Sequence, residues 1–220
     1  MADDLFADAR NNMVDSQVRP NKVTDPRILS SMRRLRRERF LPASLAALAY
    51  ADEDVPLGGG RFLMEPMVLA RLLQFATVRD GDRALVVGAG PGYGAAVLAA
   101  CGARVTALEE DPALLALAGA ALMEAAPNVS LVNGKLEAGW PQGAPYDLIL
   151  IEGAVRHIPP SIGVQLRIEG GRLLGVICGP GRTNQAVLAE ATPAGLRAQP
   201  IFDCATPPLP MLLPAPAFQF

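Results

Sequence analysis

Three glycines at alternate positions follow a short apolar run in the middle of the chain. The run is Ala84–Val87, and the glycines are Gly88, Gly90 and Gly92. Glycine lacks the Cβ that keeps a ligand away from the backbone, and a helix behind such a bend adds N–H donors. Glu109 ends the next apolar run, where a carboxylate can accept hydrogen bonds from ribose hydroxyls. The pattern predicts a nucleoside site at the carboxyl ends of parallel strands.

The form of the glycine bend narrows the choice of nucleoside. The dinucleotide fingerprint needs a glycine at position 93, where this chain has Tyr93, and no P-loop lysine follows the bend. Alternate glycines with an acid after the next strand suit S-adenosylmethionine better. A dinucleotide site and a purely structural loop remain as the alternatives.

Alternating strands and helices must position these residues. Short apolar runs that read as strands are Ala84–Val87, Arg104–Leu108, Val129–Val132, Leu148–Ile151 and Arg172–Ile177. Helical stretches Tyr93–Cys101 and Pro112–Ala125 lie between the first three. The interleaving predicts an α/β fold with a doubly wound, mostly parallel sheet and helices on both faces.

The first third of the chain reads as helices. Thr24–Asp25–Pro26 is a helix start with a capping side chain and a proline in the first turn. A second proline opens the apolar helix over residues 66–76. We therefore expect an N-terminal helical extension with an active-site hinge over residues 1–76 and a Rossmann-like core over 77–220. The proline-rich stretch 205–220, ATPPLPMLLPAPAFQF, predicts edge strands or an extended tail, which the sequence does not place.

Composition argues against several classes of protein. The 220 residues carry a net charge of −2, and the basic cluster Arg33–Arg37 is expected to be a solvated helix face, so no nucleic-acid partner is predicted. No targeting segment and no apolar run of membrane-spanning length is evident, so we predict no membrane association. Three widely spaced cysteines and one histidine indicate no disulfide framework and no metal site. A cytoplasmic location is the expectation. Oligomeric state is not predicted.

A family resemblance emerges from longer stretches of the chain. They run from about Asn12 to Gly179 and read, in order, MVDSQVRP, VTDPRILSSM, RERFLP, AYADEDVPLGGG, VVGAGPGYGAAVLA, APYDLIL and QLRIEGGRLL. These stretches resemble protein-L-isoaspartate O-methyltransferases, enzymes of protein repair that methylate isoaspartyl carboxylates with S-adenosylmethionine. The resemblance implies the Rossmann-like fold of class I S-adenosylmethionine-dependent methyltransferases and an isoaspartyl-containing protein or peptide as substrate.

Site residues follow from the resemblance position by position. Residues of the bend and of the ends of the second and third strands would contact the cofactor: Gly88, Ala89, Gly90, Gly92, Tyr93, Glu109, Glu110, Lys135 and Leu136. Residues 61–66 would form a hinge over the reacting centre. Two positions depart from the family: Val86 stands where the family has glutamate, and Lys135 stands where an acid would meet the adenine amino group.

The hinge departs further. The family writes it as glycine, glutamine, threonine, isoleucine, serine, any residue and proline, whereas this chain reads GRFLMEP over residues 60–66. Phe62 therefore replaces the threonine and Met64 the serine, and both hydroxyls that would face the acceptor carboxylate are lost. Arg61 offers a bidentate clamp for that carboxylate instead.

The missing catalytic base is no obstacle to this chemistry. An acceptor carboxylate is already ionised near neutral pH, so the protein has to position it and exclude water. Three interpretations remain open. The chain is a methyltransferase with an altered acceptor pocket, a cofactor-binding or scaffolding relative that has lost isoaspartyl repair, or a chain that keeps the fold without the cofactor.

Overall fold

A computed structural model describes residues 5–179, 181 and 183–213. Its helices of the α type are α1 (Ala7–Asn12), α2 (Pro26–Arg34), α3 (Pro66–Ala76), α4 (Tyr93–Ala100), α5 (Pro112–Ala125) and α6 (Pro160–Gly163). Its strands are β1 (Val55–Gly58), β2 (Arg61–Leu63), β3 (Arg83–Val87), β4 (Arg104–Glu109), β5 (Ser130–Asn133), β6 (Leu148–Val155), β7 (Arg172–Ile177), β8 (Asn184–Thr192) and β9 (Gly195–Cys204).

Seven strands form the central sheet in the order β5-β4-β3-β6-β7-β8-β9. The pairings from β5 to β7 are parallel, and β8 and β9 add an antiparallel hairpin at one edge. The doubly wound, mostly parallel sheet predicted from the sequence is confirmed. The edge strand on that side is β9, and it ends at Cys204, just before the proline-rich stretch 205–220 in which edge strands were expected.

Both faces of the sheet are buried. Val86 of β3 packs with Leu148 and Leu150 in one apolar cluster, while Leu85 and Val87 pack in a second cluster on the opposite face. This alternation follows from the two-residue period of a strand, and it explains why β3 and β6 read as continuous apolar runs. The first cluster also contains buried residues of the N-terminal segment, α3, α4 and α5.

The N-terminal extension begins its second helix where the sequence indicates. Asp25 caps α2, because its Oδ1 accepts a hydrogen bond of 2.8 Å from the Arg27 backbone N–H, and Pro26 occupies the first turn. Ile28 and Met32 of α2 are buried in the same cluster as Val86. The expected division at residues 76 and 77 stays a prediction, since a single apolar cluster runs through both parts.

One expectation for the basic cluster is wrong. The helix ends at Arg34, and Leu35 is extended, so the cluster does not lie on one helix face. Arg37 is fully buried, and its guanidinium lies 4.7 Å from the centre of the Tyr93 ring. A helical repeat continued past Leu35 would have left Arg37 exposed; the extended residue turns it into the core.

Two global features bear on function. No helix in the described ranges is long and apolar enough to cross a membrane. Among residues 5–179, 181 and 183–213, no group of histidine, cysteine and acidic side chains is arranged to hold a metal ion. Residues 214–220 of the proline-rich stretch lie outside the described residues.

Candidate active site

The glycine bend lies between β3 and α4 at the carboxyl edge of the sheet. Gly88, Gly90 and Gly92 all have positive φ, at 71°, 55° and 92°, a region that only glycine enters without strain. The backbone N–H groups of Gly88 and Ala89 both donate to the Leu108 carbonyl at 3.0 Å. The bend is thereby held against the end of β4.

Glu109, the last residue of β4, lies beside this bend and is fully buried. Its Oε2 accepts a hydrogen bond of 2.8 Å from the Gly90 N–H. Its Oε1 accepts from the N–H groups of Glu110 and Asp111 at 2.8 and 3.0 Å. The fold thus brings together the bend and the acid that the sequence singled out.

Arg61 of β2 occupies the remaining face of this carboxylate. Its Nη1 lies 2.8 Å from Glu109 Oε1 and its Nη2 lies 2.7 Å from Oε2, so the ion pair is bidentate. The same Nη2 donates to the Gly88 carbonyl at 3.2 Å. A carboxylate has about four acceptor positions, and Glu109 already accepts five hydrogen bonds, so none is left for ribose hydroxyls.

This pairing changes the role expected for both residues. Arg61 does form a bidentate carboxylate clamp, but its partner is Glu109 of the same chain and not a methyl-accepting substrate. The two side chains are 2% and 0% exposed, so the ion pair is sealed from water. Sequence spacing carried no sign of it, because the partners are 48 residues apart.

The chain near its described end covers the bend. A Cβ placed on Gly88 would lie 3.2 Å from a methyl carbon of Leu209, and one placed on Gly153 would lie 2.4 Å from Leu209 Cγ. The Leu209 side chain therefore fits between these two glycines. A Cβ on Gly60, the residue before the hinge, would lie 2.8 Å from Pro210. The side chains of Leu209 and Pro210 therefore fill the space that these glycines would leave for a ligand.

Little room remains on the acceptor side. Between the hinge and the end of β6 lies a cavity of about 10 Å³, lined in part by Phe62, Met64 and Glu152. That volume holds about one water molecule, whereas small-molecule sites measure roughly 300–1,000 Å³. Met64 is buried and Phe62 is 37% exposed, and neither offers a donor to a carboxylate. The residues in this conformation do not fit S-adenosylmethionine.

The other predicted cofactor residues lie around the bend in separate settings. Tyr93 is buried, with its ring edge-on to Phe40 at 5.3 Å. Lys135 is exposed, and its Nζ lies 3.7 Å from Glu110 Oε1. The buried Leu136 donates its backbone N–H to Glu110 Oε2 at 2.8 Å. Glu110 therefore ties the end of β4 to the turn after β5.

Val86, the position where the family has glutamate, is a buried residue of β3 in the first apolar cluster. No polar side chain stands at that position.

Arg37 is a positioning residue that sequence reasoning missed. Its Nε donates to the Ala49 carbonyl and its Nη2 to the Met64 carbonyl, both at 2.7 Å. It therefore joins the hinge to the 3-10 turn over residues 43–48 that precedes it. No local pattern separates this arginine from its exposed neighbours in the sequence.

Glu152 is the second residue that sequence reasoning missed. It lies in an irregular stretch of β6 between Leu150 and Ala154, and its side chain is buried. A Cβ on Gly94 would lie 1.9 Å from Glu152 Oε1, so the absence of a side chain at Gly94 makes room for the carboxyl. Oε1 has no hydrogen-bond partner among the described residues.

The buried carboxyl of Glu152 predicts a pH-dependent stability. Burial raises the pKa of Glu152 to about 8 from 4.5, against the opposing pull of Arg37 and Arg61. The folded chain thus keeps a proton that the unfolded chain releases, so stability is full below pH 4.5 and falls as pH rises to about 8. Urea unfolding between pH 5 and 8 should show this decline, with a slope of up to about 1 kcal/mol per pH unit.

Glu152→Gln provides the control for this prediction. The amide does not titrate, so the free energy of unfolding of Glu152→Gln should not show this decline with pH. The difference in stability between this variant and the wild type should therefore grow in favour of the variant toward pH 8. Burial also raises the pKa of the Asp54 and Glu65 carboxyls nearby. Their contribution is common to both proteins and cancels in the difference. Parallel slopes for the two proteins would contradict the assignment to Glu152.

Comparison with solved structures identifies the fold. A protein-L-isoaspartate O-methyltransferase structure superposes with a TM-score of 0.77 at 24% identity, over 91% of this chain and 65% of that chain. A Plasmodium falciparum structure described as a beta-aspartate methyltransferase in complex with S-adenosyl-L-homocysteine also gives 0.77, at 18% identity, over 92% and 98% of the two chains. The fold is the Rossmann-like fold of class I S-adenosylmethionine-dependent methyltransferases.

Sequence comparison then identifies the family. The model of the family "Protein-L-isoaspartate(D-aspartate) O-methyltransferase (PCMT)" matches residues 8–193. The protein-L-isoaspartate O-methyltransferase of Methylorubrum populi is 41% identical over 79% of this chain and 81% of its own length. That of Koribacter versatilis is 36% identical over 93% and 91%. The chain belongs to the protein-L-isoaspartate O-methyltransferase family, which is a family of methyltransferases, and the resemblance seen in the sequence is confirmed.

Proposed function

We propose that this chain is an S-adenosylmethionine-dependent methyltransferase that acts on isoaspartyl carboxylates of proteins, and that it works from a conformation more open than the one described. The observation that supports it is the hydrogen bond of 2.8 Å between the Gly90 N–H and Glu109, which places the glycine bend and the acid side by side. Family membership supplies the reaction class.

The chemistry asks for positioning more than for proton transfer. An isoaspartyl carboxylate is ionised near neutral pH, so it needs no general base. It does need hydrogen-bond donors when it is taken out of water, because a buried charge without partners is costly. Phe62 and Met64 supply none, and Arg61 is committed to Glu109. Release of Arg61 from Glu109 would free a donor and open the ribose-binding oxygens in one movement.

A second candidate function follows from the same hinge. A relative that binds the cofactor, or serves as a scaffold, without repairing isoaspartate would also show Phe62 and Met64 in place of the hydroxyls. The buried pair of Arg61 and Glu109 favours the scaffold form of this candidate, because it stabilises the closed site. The two candidates differ in whether methyl groups reach an isoaspartyl peptide.

The proposed setting is the cytoplasm, with proteins that carry isoaspartyl residues as partners. Support for the location comes from free thiols at Cys101, Cys178 and Cys204, which a reducing compartment preserves. The net charge of −2 favours a protein substrate over nucleic acid.

Restoring the hydroxyls tests the proposed function. Phe62→Thr/Met64→Ser should raise transfer of radiolabelled methyl groups to an isoaspartyl peptide at least ten-fold over the wild type. The expected size follows from the loss of about 10²–10³ in rate on removing one such donor elsewhere. The same peptide with ordinary aspartate is the substrate control.

A matched variant separates chemistry from general loosening. Phe75→Thr/Met123→Ser makes the same exchanges at exposed positions away from the hinge and should leave the rate unchanged. The proposal would be overturned in favour of the second candidate if the cofactor binds but neither the wild type nor the hinge variant transfers methyl groups to the isoaspartyl peptide above background.

A further inference from the structure

The segment that covers the glycine bend is attached to the sheet at few points. The Ala154 N–H donates to the Pro207 carbonyl at 2.9 Å, and the Leu209 N–H donates to the Ala154 carbonyl at 2.8 Å. Asn184 Nδ2 donates to the Thr206 carbonyl at 2.8 Å. Within residues 206–212, only Thr206, Leu209 and Leu212 are buried. These hydrogen bonds and buried side chains are what a ligand would have to displace.

Arg61 makes the hydrogen bonds to Glu109 that the ribose of a bound nucleoside would make. Two ribose hydroxyls would donate hydrogen bonds to the two oxygens of Glu109, and the two terminal nitrogens of Arg61 donate to these same oxygens. The match is chemical, because both partners present a pair of neighbouring donors to one carboxylate.

The two parts of the obstruction meet at one residue. A Cβ on Gly88 would lie 3.2 Å from Leu209 and 3.6 Å from Arg61 Nη2, so both side chains lie over the same backbone position. Pro210 covers Gly60, the neighbour of Arg61. Movement of residues 206–212 would therefore release the hinge and the guanidinium together.

We infer that Arg61 and residues 206–212 form an internal plug that occupies the nucleoside site, so that closure of the plug and binding of the cofactor exclude each other. The inference rests on the proposed function and adds its regulation. Access to the site is then set by the balance between the plug and the nucleoside, and anything that holds residues 206–212 away from Gly153 activates the chain.

Relief of the plug is the direct test. In Arg61→Gln/Leu209→Ala, the glutamine is the residue that the family writes at this position, and the alanine empties the slot between Gly88 and Gly153. Titration calorimetry with S-adenosyl-L-homocysteine should give a Kd at least ten-fold lower for this variant than for the wild type. Arg172→Gln/Leu72→Ala is the matched control and should bind as the wild type does. It breaks a buried ion pair with Asp82 and truncates a buried leucine of α3, and both positions lie outside the plug.

Hydrogen exchange gives a readout that does not depend on activity. In the wild type, saturating S-adenosyl-L-homocysteine should speed amide exchange at Ala154 and Leu209, the two N–H groups that hold the plug. Equal affinity of the wild type and the relieved variant would overturn the inference and leave the proposed function standing. Failure of both to bind would overturn it too, and the separate peptide assay then decides the proposed function.

Discussion

Replacing Glu109 by glutamine is expected to lower the free energy of unfolding by about 3–5 kcal/mol, because it leaves the buried Arg61 guanidinium without its counter-ion. The amide also turns a donor group toward N–H groups that now donate to the carboxylate, among them those of Gly90 and Glu110. Urea unfolding followed by circular dichroism at pH 7 measures the loss.

Replacing the other member of the ion pair, Arg61, should lower the free energy of unfolding by less. Arg61→Gln leaves Glu109 with the three backbone N–H donors of Gly90, Glu110 and Asp111, so its charge stays partly compensated. A loss of about 1–3 kcal/mol is expected. The double variant Arg61→Gln/Glu109→Gln should lose less than the sum of the two, because the partners are in contact. A larger loss for Arg61→Gln than for Glu109→Gln would contradict the geometry described.

The second buried ion pair offers a comparison within the same chain. Arg172 at the start of β7 pairs with Asp82, and both side chains are nearly buried. Asp82→Asn should also destabilise the chain, yet it should leave affinity for S-adenosyl-L-homocysteine unchanged, because this pair lies at the amino end of the strands. Of these two buried ion pairs, only that of Arg61 and Glu109 should change both stability and binding when it is substituted.

Replacing Arg37 by alanine is the substitution with the second-largest expected effect, a loss of about 3–5 kcal/mol in the free energy of unfolding. It removes two hydrogen bonds from a charged donor, to the carbonyls of Ala49 and Met64, and leaves both acceptors buried. It also opens a cavity beside the Tyr93 ring. Urea unfolding measures the loss, and amide exchange over residues 61–65 should report a looser hinge.

Two variants sharpen this prediction. Arg37→Lys keeps the charge but has a single nitrogen for two carbonyls, so its loss should lie between those of the wild type and Arg37→Ala. Arg34→Ala removes an exposed arginine of the same cluster and should change stability by no more than about 0.5 kcal/mol. Similar losses for Arg34→Ala and Arg37→Ala would mean that Arg37 is solvated, as the sequence alone suggested.

Local pattern determined the framework of this protein. The apolar run Ala84–Val87, the glycines that follow it and the acid after the next strand predicted a parallel sheet with Glu109 beside the bend. Each depends on a short repeat or on the backbone freedom of glycine, and such signals survive in the linear sequence. The start of α2 at Asp25–Pro26 was predictable for the same reason, since a cap acts over two or three residues.

Tertiary structure alone decided whether that framework is open. Glu109 was predicted to face a sugar, but only the folded chain shows Arg61, 48 residues away, on its oxygens. Leu209 reads as one apolar residue in a proline-rich stretch, and only the backbone pairing at Ala154 brings it over Gly88. A buried charge takes whichever partner the packing places within reach, and an apolar side chain fills whichever gap is left. Neither contact leaves a periodic pattern or a characteristic spacing in the sequence, so neither can be predicted without the folded structure.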